Sequence, residues 1–241
     1  MSAKNSKKNY IPNGYYHIYN RGVEKRIIFI DEQDYSVFLS YLKTYLLPKN
    51  TSEIQKQLSE AKDYMERARL IRKLRLNNFY EDIRLLAYCL MPNHFHFLIK
   101  QASLDGIDRF MNSLNTRYVM YFNKKYERVG PLYQGVYKAV VVESDAQLLH
   151  LSSYIHRNLL KLRSSYSKGE ALLTAINSQS SSFPEYLRLR NSKWVSTTEI
   201  SSFFSKKIKA LSYEKFVIGY QQPDPLIINY CIDLNKKGEA F

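Results

Sequence analysis

Three observations predict an α+β fold in the ferredoxin-like βαββαβ order, an antiparallel sheet with an extra C-terminal helix and a helical insertion. Short β-branched and aromatic runs at 14–22, 83–91, 94–100 and 136–144 have the composition of strands. Segments 31–47, 106–128 and 145–161 repeat their apolar residues at steps of three and four, the period of a helix with one buried face. A Pro92–Asn93 pair joins two of the strand runs directly, which predicts a tight hairpin.

The elements follow in order. "GYYHIYNRG" (14–22) is a short strand that ends in a turn at Gly22. Segment 31–47 starts with acids and places Tyr35, Phe38, Leu39, Leu42 and Leu46 on one helical face; Pro48 follows its end. Residues 51–76 are highly charged, yet Ile54, Leu58, Ala61, Met65 and Ala68 recur at helical steps, which predicts an amphipathic helix inserted as a solvated arm. An arm that touches DNA or a partner is the other reading. "IRLLAYCLM" (83–91) is a buried strand, and "HFHFLIK" (94–100) returns beside it. The helix at 106–128 buries Phe110, Leu114, Tyr118 and Tyr121 and is ended by Gly130 and Pro131. "VYKAVVVES" (136–144) is strand-like, and the helix at 145–161 begins with Asp145 at its cap. Residues 162–195 are polar and Ser-rich, and Ser196 and Glu199 have the spacing of a capping box. The expected division is a domain at 10–165, carrying the 51–76 arm, and a helical addition at 166–241. No internal repeat is present.

Composition narrows the partners. Hydrophobic residues make up 45% of the 241 positions, enough for a substantial core. The formal net charge of +14 suits a polyanion, nucleic acid above all, although a solubilising charge gives the same excess. Twenty-one tyrosines and twelve phenylalanines accompany the cations, and aromatic rings beside Lys and Arg suit unpaired bases. Cys89 and Cys231 lie far apart with no Cys-x-x-Cys, which argues against a disulfide scaffold or zinc ribbon and fits a reducing cytosol. No apolar run is long enough to span a bilayer, and "MSAKNSKKNY" lacks the apolar core of a signal peptide, so a cytoplasmic location without membrane contact is expected.

The chain has five histidines, and two of them, His94 and His96, stand one residue apart in "YCLMPNHFHFLIK" (88–100). On a strand they project from one face while Phe95 and Phe97 enter the core on the other. Two imidazoles so placed can share a metal ion, or can be partly buried rings bonded to backbone. On the 145–161 helix, His150, Tyr154 and Asn158 are spaced by four and share a face. That puts a hydroxyl nucleophile one turn from a carboxamide ligand; a tyrosine packed in the core has the same spacing.

"LMPNHFHFLIK" resembles the histidine–hydrophobic–histidine (HUH) motif of single-tyrosine transposases. "NKKYERVGPLYQGVYKAVVVESDAQLLHLSSYIHRN" is similar to the downstream half of that catalytic domain, and "YHIYNRGVEKRIIF" to its first strand and turn. The similarity spans roughly residues 10–165 and points to the REP-associated tyrosine transposase (RAYT) branch. It implies that the 145–161 helix is catalytic, that Tyr154 is the nucleophile, and that His94, His96 and Asn158 hold a divalent ion, Mg²⁺ or Mn²⁺. It further implies a DNA-nicking and strand-transfer enzyme that works through a 5′-phosphotyrosine on single-stranded DNA beside a hairpin (a REP-like palindrome), nucleoid-associated, as a monomer or homodimer. Leu159 stands where the family commonly has Pro, and Val136 where many members have Arg, which removes one phosphate contact.

Arg21, Lys100, Arg109, Arg117, Lys124, Lys125 and Lys138 are candidate phosphate contacts. His17 can approach the site from the first strand or serve in the core. His150 is an alternative ligand to Asn158. His156, two positions from Tyr154, is expected on the surface or against DNA. Tyr118 and Tyr121 are rival nucleophiles at core spacing. A non-cleaving binder of structured single-stranded DNA is the alternative function; a replication initiator or relaxase, and a structural zinc protein, fit the chain less well.

Overall fold

The structure, a computed structural model, describes residues 8, 10–161 and 179–219. Its core elements are β1 (Tyr15–Arg21), α1 (Glu32–Leu46), α2 (Thr51–Glu60), α3 (Tyr64–Arg75), β2 (Ile83–Met91), β3 (His94–Gln101), α4 (Gly106–Lys125), β4 (Lys138–Val142) and α5 (Asp145–Lys161). The four strands form one sheet in the order β2-β3-β1-β4, and every neighbouring pair is antiparallel. That order and the βαββαβ sequence are those of the ferredoxin-like fold. No described helix is long and apolar enough to cross a membrane.

Strand alternation sorts the side chains into two cores. The register sets Tyr19 and Cys89 against His96, and Arg21 and Met91 against His94, so these residues share a face. The opposite face carries Ile18, Tyr88, Phe95 and Phe97, buried under Phe38 and Leu42 of α1 and Phe110, Leu114 and Tyr118 of α4. The first face is covered by α5, whose Leu148, Leu151, Ile155 and Leu159 pack on Ala87, Cys89 and Leu98. Helices on both faces explain why β2 and β3 are almost continuously apolar in sequence rather than alternating.

Residues 179–219 extend the α5 layer through three short helices, α6 (Phe183–Tyr186), α7 (Thr198–Ser201) and α8 (Tyr213–Gly219). Phe183, Tyr186, Ile200, Tyr213 and Val217 join the α5 core. The same segment covers the edge of β2: Leu90 N donates to Ser180 O at 2.7 Å, Ser182 N to Tyr88 O at 3.1 Å and Ser196 N to Leu85 O at 2.8 Å. An open edge would leave those backbone groups available for unwanted pairing.

His156 departs from expectation here. It is not on the surface but fully buried, with Nδ1 bonded to the Tyr213 hydroxyl at 2.7 Å and Nε2 to the Ser182 hydroxyl at 2.8 Å. The Tyr213 hydroxyl also donates to Ser152 Oγ at 3.0 Å. Burial pushes the His156 imidazole down to about 3, so the ring is neutral. Its partners lie 26 and 57 positions downstream, beyond the reach of any local pattern.

Five local expectations are also corrected. The 51–76 arm is two helices rather than one: Ala61 leaves helical geometry, and the Asp63 side chain accepts from Glu66 N at 2.7 Å to cap a new helix. Ser196 and Glu199 make no capping box, because Glu199 accepts from the Tyr15 hydroxyl and pairs with Lys100 and Arg84, each at 3.5 Å. The fourth helix stops at Lys125, just before Glu127 enters the left-handed region at φ 49°, and the last strand is confined to Lys138–Val142. Ser144, not Asp145, caps α5, its Oγ accepting from Gln147 N at 3.2 Å. Expectations for 162–178 and 220–241 lie outside the described residues.

One buried charge ties α1 to α4. Asp34 caps α1 reciprocally with Asp31 and is fully buried. It accepts from Ile30 N at 2.8 Å, Lys125 Nζ at 2.8 Å, and the Tyr121 and Tyr126 hydroxyls at 3.0 and 2.8 Å. Burial raises its pKa, but Lys125 and the other donors outweigh that and hold it below the usual carboxylate range. Asp34→Asn is expected to cost about 3 kcal/mol at pH 7, since it removes the buried charge at which Lys125 and three other donors are aimed. A depressed carboxylate stabilises the fold above its unfolded value near 4, and that stability is lost as pH falls through the folded value. Urea melts at pH 7 and pH 3 should therefore show the gap between wild type and variant closing at the lower pH; an equal gap at both contradicts the assignment. Tyr213→Phe, which strands His156 Nδ1, is expected to cost about 2 kcal/mol in the same assay.

Candidate active site

The β2–β3 hairpin aims the two histidines. Pro92 and Asn93 form its turn, and the tip is pinned by the β1 exit loop: Gly22 N donates to Asn93 O at 2.9 Å, and Ile28 N and Phe29 N to Pro92 O at 2.7 and 3.0 Å. Gly22 is required there, because a Cβ would stand 2.3 Å from Arg26 O. Asn93 Oδ1 lies 2.6 Å from His94 Nδ1 and holds that ring. His94 and His96 then project side by side, their ring centroids 5.0 Å apart and their planes at 86°.

β1 adds a third imidazole. His17 Nε2 and His96 Nδ1 share a hydrogen bond of 2.8 Å, with the rings within 11° of parallel. Both residues are 0% exposed, and burial pushes His17 down to about 3, so it stays neutral. Tyr19 packs 4.8 Å from His17 and 6.1 Å from His96, ring to ring. From the opposite layer α5 brings Tyr154, whose ring meets His96 edge-on at 5.5 Å and His17 at 6.3 Å. Asn158 is buried one turn on, and its Nδ2 donates to Tyr154 O at 3.1 Å.

The donor set fits a divalent ion of the Mg²⁺ or Mn²⁺ kind: two imidazoles on one strand face and a carboxamide on the facing helix. Among the described residues no cluster of three or more His, Cys, Asp and Glu could hold a metal. Asn158, whose carboxamide is a donor of another type, lies one helical turn from Tyr154.

Other sequence candidates fall elsewhere. His150 is half-buried with its ring 5.3 Å from Phe216 of α8, turned to the C-terminal layer. Tyr118 is buried beneath the other face of the sheet, donating to Ile28 O at 2.6 Å, and Tyr121 donates to Asp34 at 3.0 Å. Both serve the core. Of the cations, Arg21 sits across from His94 in the register and Lys138 Nζ lies 5.8 Å over the Tyr19 ring, so these two flank the site. Lys100 stands at the far end of β3, bonded to the Tyr15 hydroxyl at 3.0 Å and paired with Glu199. Arg109, Arg117, Lys124 and Lys125 are on α4, across the sheet from Tyr154. Arg109 pairs with Asp82 at 2.6 Å and Asp105 at 3.0 Å; Lys125 pairs with Asp31 and Asp34. Tyr19 was not singled out in the sequence, although the alternation of "YYHIYN" puts it on the face of His17.

Part of the chain is similar to a known family. Residues 65–158, which include β2, β3, α4, β4 and the Tyr154–Asn158 turn of α5, match the family model described as "Transposase IS200 like". No match to a curated protein was found. Among solved structures, the chain is similar to a REP-associated tyrosine transposase bound to a REP hairpin, at 11% identity and a TM-score of 0.48, covering 77% of this chain and 86% of that one. It is also similar to a transposase-like protein from Deinococcus radiodurans R1 (14% identity, TM-score 0.26, 64% and 97% covered). A third likeness is to the tRNA(His) guanylyltransferase of Saccharomyces cerevisiae (11% identity, TM-score 0.31, 73% and 77% covered). Residues 65–158 are thus similar to an IS200-like transposase domain.

Proposed function

We propose that this transposase nicks and rejoins single-stranded DNA through Tyr154, next to a hairpin. The observation that carries the reading is the meeting of Tyr154 with His96 at 5.5 Å, at a His94–His96 pair on the facing strand. In the first step the Tyr154 phenolic oxygen bonds to phosphorus as the P–O3′ bond breaks. The downstream fragment stays on the tyrosine through its 5′-phosphate as a phosphodiester, and the upstream fragment leaves with a 3′-hydroxyl that takes up the proton the phenol gives up. The bond energy is kept in the phosphotyrosine, so a later 3′-hydroxyl can reverse the step and join strands without ATP.

A free phenol ionises near pH 10 and is a weak nucleophile at neutral pH. His94, His96 and Asn158 would hold a divalent ion, which when bound supplies charge neutralisation at a non-bridging phosphate oxygen. The two imidazoles favour Mn²⁺ over Mg²⁺. His17 holds that ring's orientation through its bond to His96 Nδ1, and with Nδ1–H as the donor Nε2 would be the metal-binding nitrogen. Arg21 and Lys138 flank the reacting phosphate, and the net charge of +14 supports a nucleic-acid partner. The chromosome of a bacterial cytoplasm is the setting this chemistry fits.

Labelled hairpins with short single-stranded flanks, incubated with protein and Mn²⁺, should give an SDS-resistant protein–DNA adduct. Tyr154→Phe should abolish the adduct while keeping hairpin binding within about twofold. An adduct that survives this change moves the nucleophile elsewhere, and hairpin binding by wild type with no adduct at all favours the non-cleaving binder. His17→Leu should weaken Mn²⁺ binding, followed by the loss of the free-ion EPR signal, by about 10- to 100-fold. Unchanged Mn²⁺ affinity removes His17 from the ligand shell.

A further inference from the structure

The face of α4 turned away from the core holds an open groove of about 580 Å³ that the chemistry of Tyr154 does not use. Arg109, Asn112, Ser113, Thr116, Arg117 and Met120 line it, at helical steps of three and four, as one continuous stripe. Asn77 and Phe79, from the chain that leads into β2, form the facing wall. No acidic side chain is in the lining. Arg109 is already neutralised by Asp82 and Asp105, so the groove's net positive charge comes from Arg117.

Arg117 is set up in advance. Its guanidinium lies 3.8 Å over the Tyr41 ring and 5.7 Å from that of Tyr45, a stacking that fixes its direction. Among the described residues it makes no ion pair. A guanidinium held by stacking and without a carboxylate partner suits an oxyanion such as phosphate. Around it stand groups that suit a heterocycle: the carboxamides of Asn77 and Asn112, the Thr116 hydroxyl, and the thioether of Met120, which is 69% exposed.

We propose that this groove is a second, non-catalytic nucleotide site, which takes a phosphate on Arg117 and an unstacked base against Asn77, Asn112 and Met120. It rests on the reading that the chain binds DNA. The nucleotide is either part of a single strand held across the sheet from Tyr154 or a free mononucleotide, and the two sources share this chemistry.

The test uses the full chain carrying Tyr154→Phe, which prevents turnover, and a fluorescein-labelled single-stranded 12-mer read by anisotropy. Arg117→Gln and Asn112→Glu are compared with the parent; Asn112 is exposed, so its variant folds even if the loss of the Arg117 stack is felt. Both should weaken binding about 5- to 10-fold near 0.1 M salt, and Arg117→Gln should lower the log–log salt slope by about 0.7, one single-strand phosphate contact. The covalent adduct rate of the same groove variants with Tyr154 intact, at saturating DNA, should not change. If dTMP rather than the 12-mer loses affinity in both variants, the groove takes the free nucleotide. Unchanged affinity for both probes in both variants overturns the site, as does a parent that binds neither. A wild type that forms no adduct while the groove variants still weaken DNA binding leaves the groove standing and removes the nuclease reading instead.

Discussion

A hydrogen bond between two buried imidazoles, His17 Nε2 and His96 Nδ1, is the contact on which the α5 side of the molecule depends. A ferredoxin-like sheet buried on both faces has no ordinary place for polar groups, and each one left unpaired costs about 1–3 kcal/mol. Pairing the rings with each other meets that cost within the sheet, and burial keeps His17 neutral. It also links β1 to β3 in side chains as well as backbone, so the hairpin tip that carries His94 and the strand that carries His17 move as one body. Tyr154 is then positioned by packing on these rings rather than by a loop.

What could be read in the sequence follows from how local the physics is. His94 and His96 on one face, and Tyr154 with Asn158 one turn apart, are consequences of periods of two and about 3.6, and the structure keeps both. The strand order was legible because the hairpin at Pro92–Asn93 leaves few ways to arrange four strands. His156 was not legible: its environment is made by Ser182 and Tyr213, which the chain brings back from far downstream. The break in the 51–76 arm turns on one Asp63 side chain bonding to one amide, a local signal outweighed by apolar spacing that ran straight through it.

Charge was the least legible property. Seven cations looked alike in the sequence, yet Lys125 serves a buried carboxylate, Arg109 two surface acids, and Lys100 a Tyr–Glu pair. Arg21 and Lys138 alone lie beside the histidine cluster, while Arg117 faces the groove on α4. An excess of +14 therefore says that a polyanion suits the molecule as a whole, and only the ion pairs say which cations are engaged.

The seam between Ser180–Ser182 and β2 bears on how the protein is made. Residues 179–219 close the β2 edge and supply two partners of His156, so the layer that holds α5 in place includes chain synthesised after α5 itself. A ribosome that has released α5 has delivered His156 but not the two residues that bond it. Contacts of such long sequence separation form late in folding. A chain assembled this way completes the α5 layer only once that downstream segment has emerged.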